Sequence, residues 1–238
     1  MNNGFINRIR RLWTKLRLQP IRVFCFHQVS ETFDASTMWE CDWTEITQFK
    51  KNIIHLSQRY KFISLQEAQI KLEHDRFRCK EYAVLTADDG WASLKNIVPW
   101  LAERKIPITL FVNPAYLDGE HYQERATEKL LTKQELDKWS EENGRYVSIA
   151  SHGWNHVKAT DLSNEQFKQS VLKSELALNN LSTKVPYFAY TYGKFTKDSM
   201  KVLLENHLSP VLMDGKKNYK YDGYIHRECI DAKKLYEE

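Results

Sequence analysis

Tyr82-Ala83-Val84-Leu85-Thr86-Ala87-Asp88-Asp89-Gly90 is the stretch that decides the fold. The run from Tyr82 to Leu85 is short and apolar, which predicts a buried strand, and Gly90 supplies the turn that stops it. Two adjacent carboxylates, Asp88 and Asp89, stand at that strand's end. Neighbours on a strand point to opposite faces, but where the chain turns both can reach one cleft from different sides. One carboxylate can then hold a metal while the other serves as a base.

A second stretch, Ser151-His152-Gly153-Trp154-Asn155-His156, also follows an apolar run, Tyr146 to Ala150. His152 and His156 are four residues apart, which puts them on one face if the segment turns helically. A carboxylate with two imidazoles suits Zn²⁺, Fe²⁺, Co²⁺ or Mn²⁺ and leaves positions open for water and substrate. An Asp-Asp-Gly tripeptide alone is ordinarily a turn with solvated acids, and a lone histidine pair is nearly as weak a signal. Their joint occurrence, each closing an apolar run, points to one site.

These residues resemble the polysaccharide deacetylases (carbohydrate esterase family 4, the NodB-homology domain). That family carries a T-F-D-D-G motif, a S-H-x-x-x-H motif and a later F-x-Y-P-Y-G motif. Here the third reads Phe188-Ala189-Tyr190-Thr191-Tyr192-Gly193, and Ile106 to Val112 resembles the family strand between the first two. The resemblance covers roughly residues 21 to 230 and is nearest to the circularly permuted, poly-N-acetylglucosamine deacetylase-like branch. Ala87 stands where the family usually has Phe, and Thr191 where it usually has Pro. Both departures are expected to reshape the cleft.

The resemblance implies an α/β fold, a distorted (β/α) barrel of about seven parallel strands. It implies a metal-dependent deacetylase of N-acetyl or O-acetyl groups on a carbohydrate. Asp89, His152 and His156 would hold the metal, Zn²⁺ first, with Co²⁺, Mn²⁺, Fe²⁺ or Ni²⁺ as alternatives. Asp88 would be the base. Phe26-His27-Gln28-Val29 matches a segment that opens the domain, which nominates His27 as the acid. Arg227 would orient the catalytic Asp, and His226 is the lower-ranked alternative acid. Tyr190 and Tyr192 fall in the third motif, where a backbone N–H is also a candidate donor to the oxyanion. Trp91 and Trp154 would stack on sugar or fill the core.

The chain has 238 residues and a net charge of +4. Six cationic and no acidic residues lie in the first 30, so the rest carries −2. The basic character belongs to one arm, which argues against a nucleic-acid-binding groove. Within that arm Phe5, Ile9, Leu12, Trp13 and Leu16 share a helical face flanked by Arg8, Arg11 and Lys15. Residues 1–19 are therefore expected as an amphipathic N-terminal segment, helical over 4–18, and 20–238 as the catalytic domain. The helix either touches an anionic membrane surface or covers one end of the barrel. Cys25, Cys41, Cys79 and Cys229 lack C-x-x-C spacing and read as free thiols of a reducing, cytoplasmic compartment. No apolar stretch approaches a membrane span, and no apolar signal region follows the basic start.

Further along, Thr44, Ser64, Thr132 and Ser163 are expected to cap helices, with Gly144 ending one of them. Leu94, Ile97, Val98 and Leu101 are expected inward, as are Phe167, Val171, Leu172, Leu176 and Leu178. Strands alternate with helices, and every nominated residue falls at a strand's C-terminal end, where βα barrels place their sites. Two alternatives remain at this level: a sugar-binding domain of the same fold without turnover, and a metal-dependent hydrolase of another bond.

Overall fold

The computed structural model describes residues 18–33, 42–117 and 130–231. The helix expected over residues 4–18 lies outside the described residues, apart from Leu18, which forms a bridge to Arg78. In chain order the elements are β1 (Ile21–Phe26), β2 (Gln28–Ser30), β3 (Trp43–Glu45), α1 (Ile46–Arg59), β4 (Lys61–Phe62) and α2 (Leu65–His74). Then come β5 (Tyr82–Ala87), α3 (Val98–Glu103), β6 (Ile108–Val112), α4 (Lys133–Asn143) and β7 (Val147–Ser151). The last are α5 (Asn164–Leu178), β8 (Lys184–Ala189), α6 (Lys197–Glu205), β9 (Ser209–Met213) and β10 (Ile225–Cys229).

Seven strands close a barrel in the order β1-β10-β9-β8-β7-β6-β5, and β1 returns to β5. All these pairings are parallel, as the alternation of strands and helices predicts. Short β4 adds to the first two residues of β5, and β2 and β3 form a separate pair. Alternation along each strand divides the core. Val23, Val84, Phe111, Ala150, Ala189, Val211 and Ile225 pack together inside the barrel. Phe24, Phe26, Leu85, Leu110, Val112 and Ile149 pack outward against the helices.

The helix starts follow local hydrogen bonding. Thr132 and Ser163 form capping boxes with Glu135 and Gln166, and Ser64 accepts from Glu67 N. Glu45, not Thr44, caps α1, because its two carboxylate oxygens accept from Thr47 N and Gln48 N. Gly144 ends α4 in a right-handed conformation. Its need for glycine is spatial, since a Cβ would lie 2.4 Å from the Ser140 carbonyl oxygen. After Gly90 the chain makes a short 3-10 turn, Ala92–Asn96, before α3, whose start is fixed by Pro99. Leu94, Ile97, Val98 and Leu101 are all buried, as expected.

On α5 the buried stripe is Phe167, Val171, Ser174 and Leu178. Leu172 and Leu176 lie on the neighbouring face and are exposed, contrary to expectation. Among the described residues no helix is long and apolar enough to cross a membrane.

Candidate active site

The inward parity of the barrel extends past the strand ends. Thr86 and Ala150 are followed two residues later by Asp88 and His152, and Cys25 by His27; Arg227 lies two residues after inward Ile225. Asp89 has the outward parity, but its φ of 68° turns the chain and brings its carboxylate back to the same cleft. His156 and Tyr192 are also left-handed, at φ 56° and 55°. Such conformations are costly for residues other than glycine, and three of the five among the described residues lie at the ends of the strands that build the cleft; Lys105 and His207 are at helix ends. Gly90 and Gly153, at φ 79° and 84°, complete the same two turns. The His152–His156 segment is therefore a bend and not a helical turn: the expected helical face is absent, and the two rings meet through backbone reversal. Their centroids are 5.3 Å apart.

Asp88 is clamped. Arg227 Nη1 and Nη2 each donate to one of its oxygens at 2.6 Å, a two-point fork between buried groups. Nη1 also reaches Thr86 Oγ1 at 3.3 Å and Cys25 Sγ at 3.2 Å. Burial alone would raise the Asp88 carboxyl, but Arg227, together with His152 and His27, outweighs it and lowers the pKa below the ordinary carboxylate value. Asp88 is held ionised and immobile.

Asp89 has a different environment. Its Oδ2 accepts from Trp91 Nε1 at 3.0 Å. Its Oδ1 is buried and faces His156 Nε2 at 3.1 Å and His152 Nε2 at 3.4 Å. The His152 tautomer is fixed by its other nitrogen: Nδ1 lies 2.9 Å from the Ala189 carbonyl, which can only accept, so Nδ1 carries the proton. Its Nε2 lone pair therefore points at an unprotected carboxylate oxygen. A nitrogen lone pair and a carboxylate oxygen brought this close suit a cation between them. Burial pushes the Asp89 carboxyl up, and His156, with His27 and His152, more than reverses the shift. The ligand atoms of Asp89, His152 and His156 lie within 4.8 Å of one another, so one carboxylate and two imidazoles fit a divalent transition metal. The Ala189 carbonyl and the Trp91 indole orient two of those ligands from behind.

His27 faces this cluster from β1. A ring nitrogen of His27, an Asp88 oxygen and Cys25 Sγ lie within 4.8 Å of one another. His27 Nδ1 is 2.6 Å from Asp231 Oδ2, and its backbone N–H donates to Asp231 Oδ1 at 3.1 Å. Burial would lower the imidazole, but Asp231 overrides it and holds the ring well above its ordinary value. Burial also raises the Asp231 carboxyl, so the pair holds one proton firmly.

The other nominated residues divide. Tyr192 is exposed at the cleft, its ring 4.7 Å from His156. Tyr190 is only 1% exposed and packs on Phe167 and Phe188, so its side chain is core and not a substrate contact. Trp91 is buried and spends its indole N–H on Asp89 rather than on a sugar. Trp154 lies in a surface groove against α5, with Lys173 Nζ 4.0 Å from its ring. His226 points away from Arg227 by strand alternation and pairs with Asp214 at 2.8 Å, so the structure does not bring this alternative acid to the cleft.

Of the two family departures, Ala87 sits in the outer layer and does not face the cleft. Thr191 does bear on it: its hydroxyl donates to the His152 carbonyl at 3.1 Å. Asn113 Nδ2 donates to that same carbonyl at 2.7 Å and braces the bend. Asp231 and Asn113 were not singled out in the sequence. Neither has a local signal; Asp231 reaches His27 only because β1 closes beside β10.

The polysaccharide deacetylase family model matches residues 76–211, more than half of the chain. The chain belongs to that family and is a carbohydrate deacetylase, a hydrolase acting on carbon–nitrogen bonds. Among solved structures it is similar to IcaB from Ammonifex degensii, with a TM-score of 0.76 and 20% identity over 91% of this chain and 94% of that one. It is also similar to the Streptococcus pyogenes deacetylase PplD in complex with acetate, with a TM-score of 0.74 and 17% identity over 90% and 93% of the two chains. A de-N-acetylase from Aggregatibacter actinomycetemcomitans matches with a TM-score of 0.70 and 17% identity over 88% and 94%. These likenesses establish the fold, the NodB-type barrel. No curated protein sequence matches significantly.

Proposed function

We propose that this protein removes N-acetyl groups from an acetylated glycan by metal-assisted hydrolysis. The observation that carries the reading is the juxtaposition of the clamped Asp88–Arg227 pair, the converging Asp89–His152–His156 ligand atoms and the His27–Asp231 pair in one cleft. Asp89, His152 and His156 would hold a divalent ion, which would supply Lewis acidity for the acetyl carbonyl and make a water more acidic. Zn²⁺ is the first choice for this donor set.

Asp88 accepts the proton of the attacking water, and Arg227 keeps it ionised for that purpose. Water oxygen adds to the carbonyl carbon, the carbon–nitrogen bond breaks, and His27 delivers a proton to the departing nitrogen. The products are acetate and a free amine. Asp231 holds His27 in the protonated state that this step requires. Tyr192, exposed beside His156, is the side chain best placed to touch the sugar. The basic segment over residues 4–18 would bring the enzyme to glycan precursors at the inner face of a membrane.

Acetate release from N-acetylglucosamine oligomers tests the activity, with Asp88→Asn as control. Release by the wild type and its loss in the variant supports the reading. Equal release by both would overturn the role given to Asp88. Vesicle pelleting of the chain with and without residues 1–19 tests the membrane step, and equal partition would remove it.

A further inference from the structure

One cluster beside the cleft is chemically unlike the rest. Cys229 closes β10 and, in register with Cys25 on β1, shares the inward parity of Arg227. Its thiol donates to Asp231 Oδ2 at 3.2 Å, the same oxygen that lies 2.6 Å from His27 Nδ1. Asp231 Oδ1 is tied to the His27 backbone N–H and to Thr44 Oγ1 at 3.4 Å, so Oδ2 is aimed at the sulfur and the imidazole. The sulfur, nitrogen and oxygen all lie within 4.8 Å of one another.

We propose that Cys229, His27 and Asp231 form a second, inhibitory site for a thiophilic divalent cation such as Zn²⁺. Thiolate, imidazole and carboxylate are ligands that such an ion binds at about 2.0–2.3 Å, usually with water in a fourth position. Small movements of three side chains bring the atoms to that spacing. The route in is open: the His27 side chain is 18% exposed and Cys229 is partly exposed, while Asp231 is buried behind them. A competing set, Cys25, His27 and Asp88, is closed to cations. The Arg227 guanidinium already donates to Cys25 Sγ and to Asp88 there, and its charge would repel an ion.

Binding at Cys229 displaces the thiol proton and the proton between His27 Nδ1 and Asp231, both of which go to solvent. His27 is left as a neutral, metal-bound ring whose remaining Nε2–H is too weakly acidic to protonate a leaving nitrogen. Turnover therefore rises as the Asp89–His152–His156 site fills and falls as the second site fills. The inhibition rests on the function proposed above; the site itself does not.

The experiment is a titration of the metal-free full chain with Co²⁺ and, separately, Zn²⁺. With cobalt, a thiolate-to-metal charge-transfer absorption is expected to grow only after the first equivalent. It should be absent from both Cys229→Ala and Cys229→Ser. With zinc, acetate release is expected to drop by about 10²-fold or more past the first equivalent, the scale of losing a general acid. Both variants should keep their one-equivalent activity at excess zinc. A charge-transfer band that survives in the variants, or no band at any cobalt concentration, overturns the site. A band lost with Cys229 but without inhibition by zinc keeps the site and overturns the role given to His27.

Discussion

On the β1–β10 side of the cleft the charges are paired: Asp88 with Arg227 at 2.6 Å, His27 with Asp231 at 2.6 Å. On the β7–β8 side, Asp89 Oδ1 is buried between two imidazole nitrogens, 3.1 Å from His156 Nε2 and 3.4 Å from His152 Nε2. The first side is built from residues that continue the strand alternation. The second needs left-handed backbone at Asp89, His156 and Tyr192. Paired charges fix protonation states, which is what a base and an acid require. Converging lone pairs are stable only with a cation among them, which is what a metal site requires. In the mechanism proposed above, one barrel mouth separates proton handling from metal binding by how completely each group is satisfied.

The largest effect that could break this division is on turnover. Asp88→Asn should keep its metal and lose about 10²–10⁴-fold in acetate release, the range for a general base. Elemental analysis and steady-state kinetics on one preparation check both halves. Loss of metal in this variant would mean that Asp88 belongs to the other side of the cleft.

Next is stability. Arg227→Met leaves a buried carboxylate without its partner and should cost about 3–5 kcal/mol in denaturant unfolding. Because the Asp88 pKa is lowered in the folded state, the pair's contribution is present above the ordinary carboxylate range. It is lost as the pH falls through the lowered value. The wild type should therefore lose part of its margin over Arg227→Met in acid, and a margin independent of pH would contradict the pairing.

A smaller effect sharpens the acid assignment. Asp231 raises His27 above its ordinary value of 6.5, so activity should persist above that pH and fall as the pH rises through the raised value. Asp231→Asn should move this alkaline limb to lower pH with little change in metal content. A limb that stays in place would remove His27 as the proton donor. The smallest effect concerns the bend that carries the histidines. Thr191→Val removes one hydrogen bond to the His152 carbonyl and should cost about 1 kcal/mol, with a modest loss of metal affinity seen by competition with a chelator.

Much of this was legible in the sequence because the signals are local. An apolar run ending in Asp-Asp-Gly gives a buried strand and its turn, and Thr132 and Ser163 announce their helices through capping boxes. The resemblance implies that Arg227 orients the catalytic Asp, and Arg227 Nη1 lies 2.6 Å from Asp88 Oδ1. What stayed hidden depends on closure of the barrel. The register of Cys25 with Cys229 sets His27 next to Asp231, and no stretch of sequence contains that pairing. Trp91, from its position after the first motif, reads as a stacking surface or as core. It is buried and also donates to Asp89, and neither role can be told from a tryptophan's position after a motif. The four-residue histidine spacing suggested a helix, whereas the chain turns through Gly153 and a left-handed His156. Composition does not separate those two routes to the same meeting of rings.

The most direct test of the division is the metal content of the purified chain after dialysis, measured for the wild type, Asp88→Asn and His152→Ala. About one equivalent of a transition metal in the first two and none in His152→Ala is the expected result. No metal in the wild type, even after addition of Zn²⁺ or Co²⁺, would contradict it and leave the converging lone pairs of Asp89, His152 and His156 without a purpose.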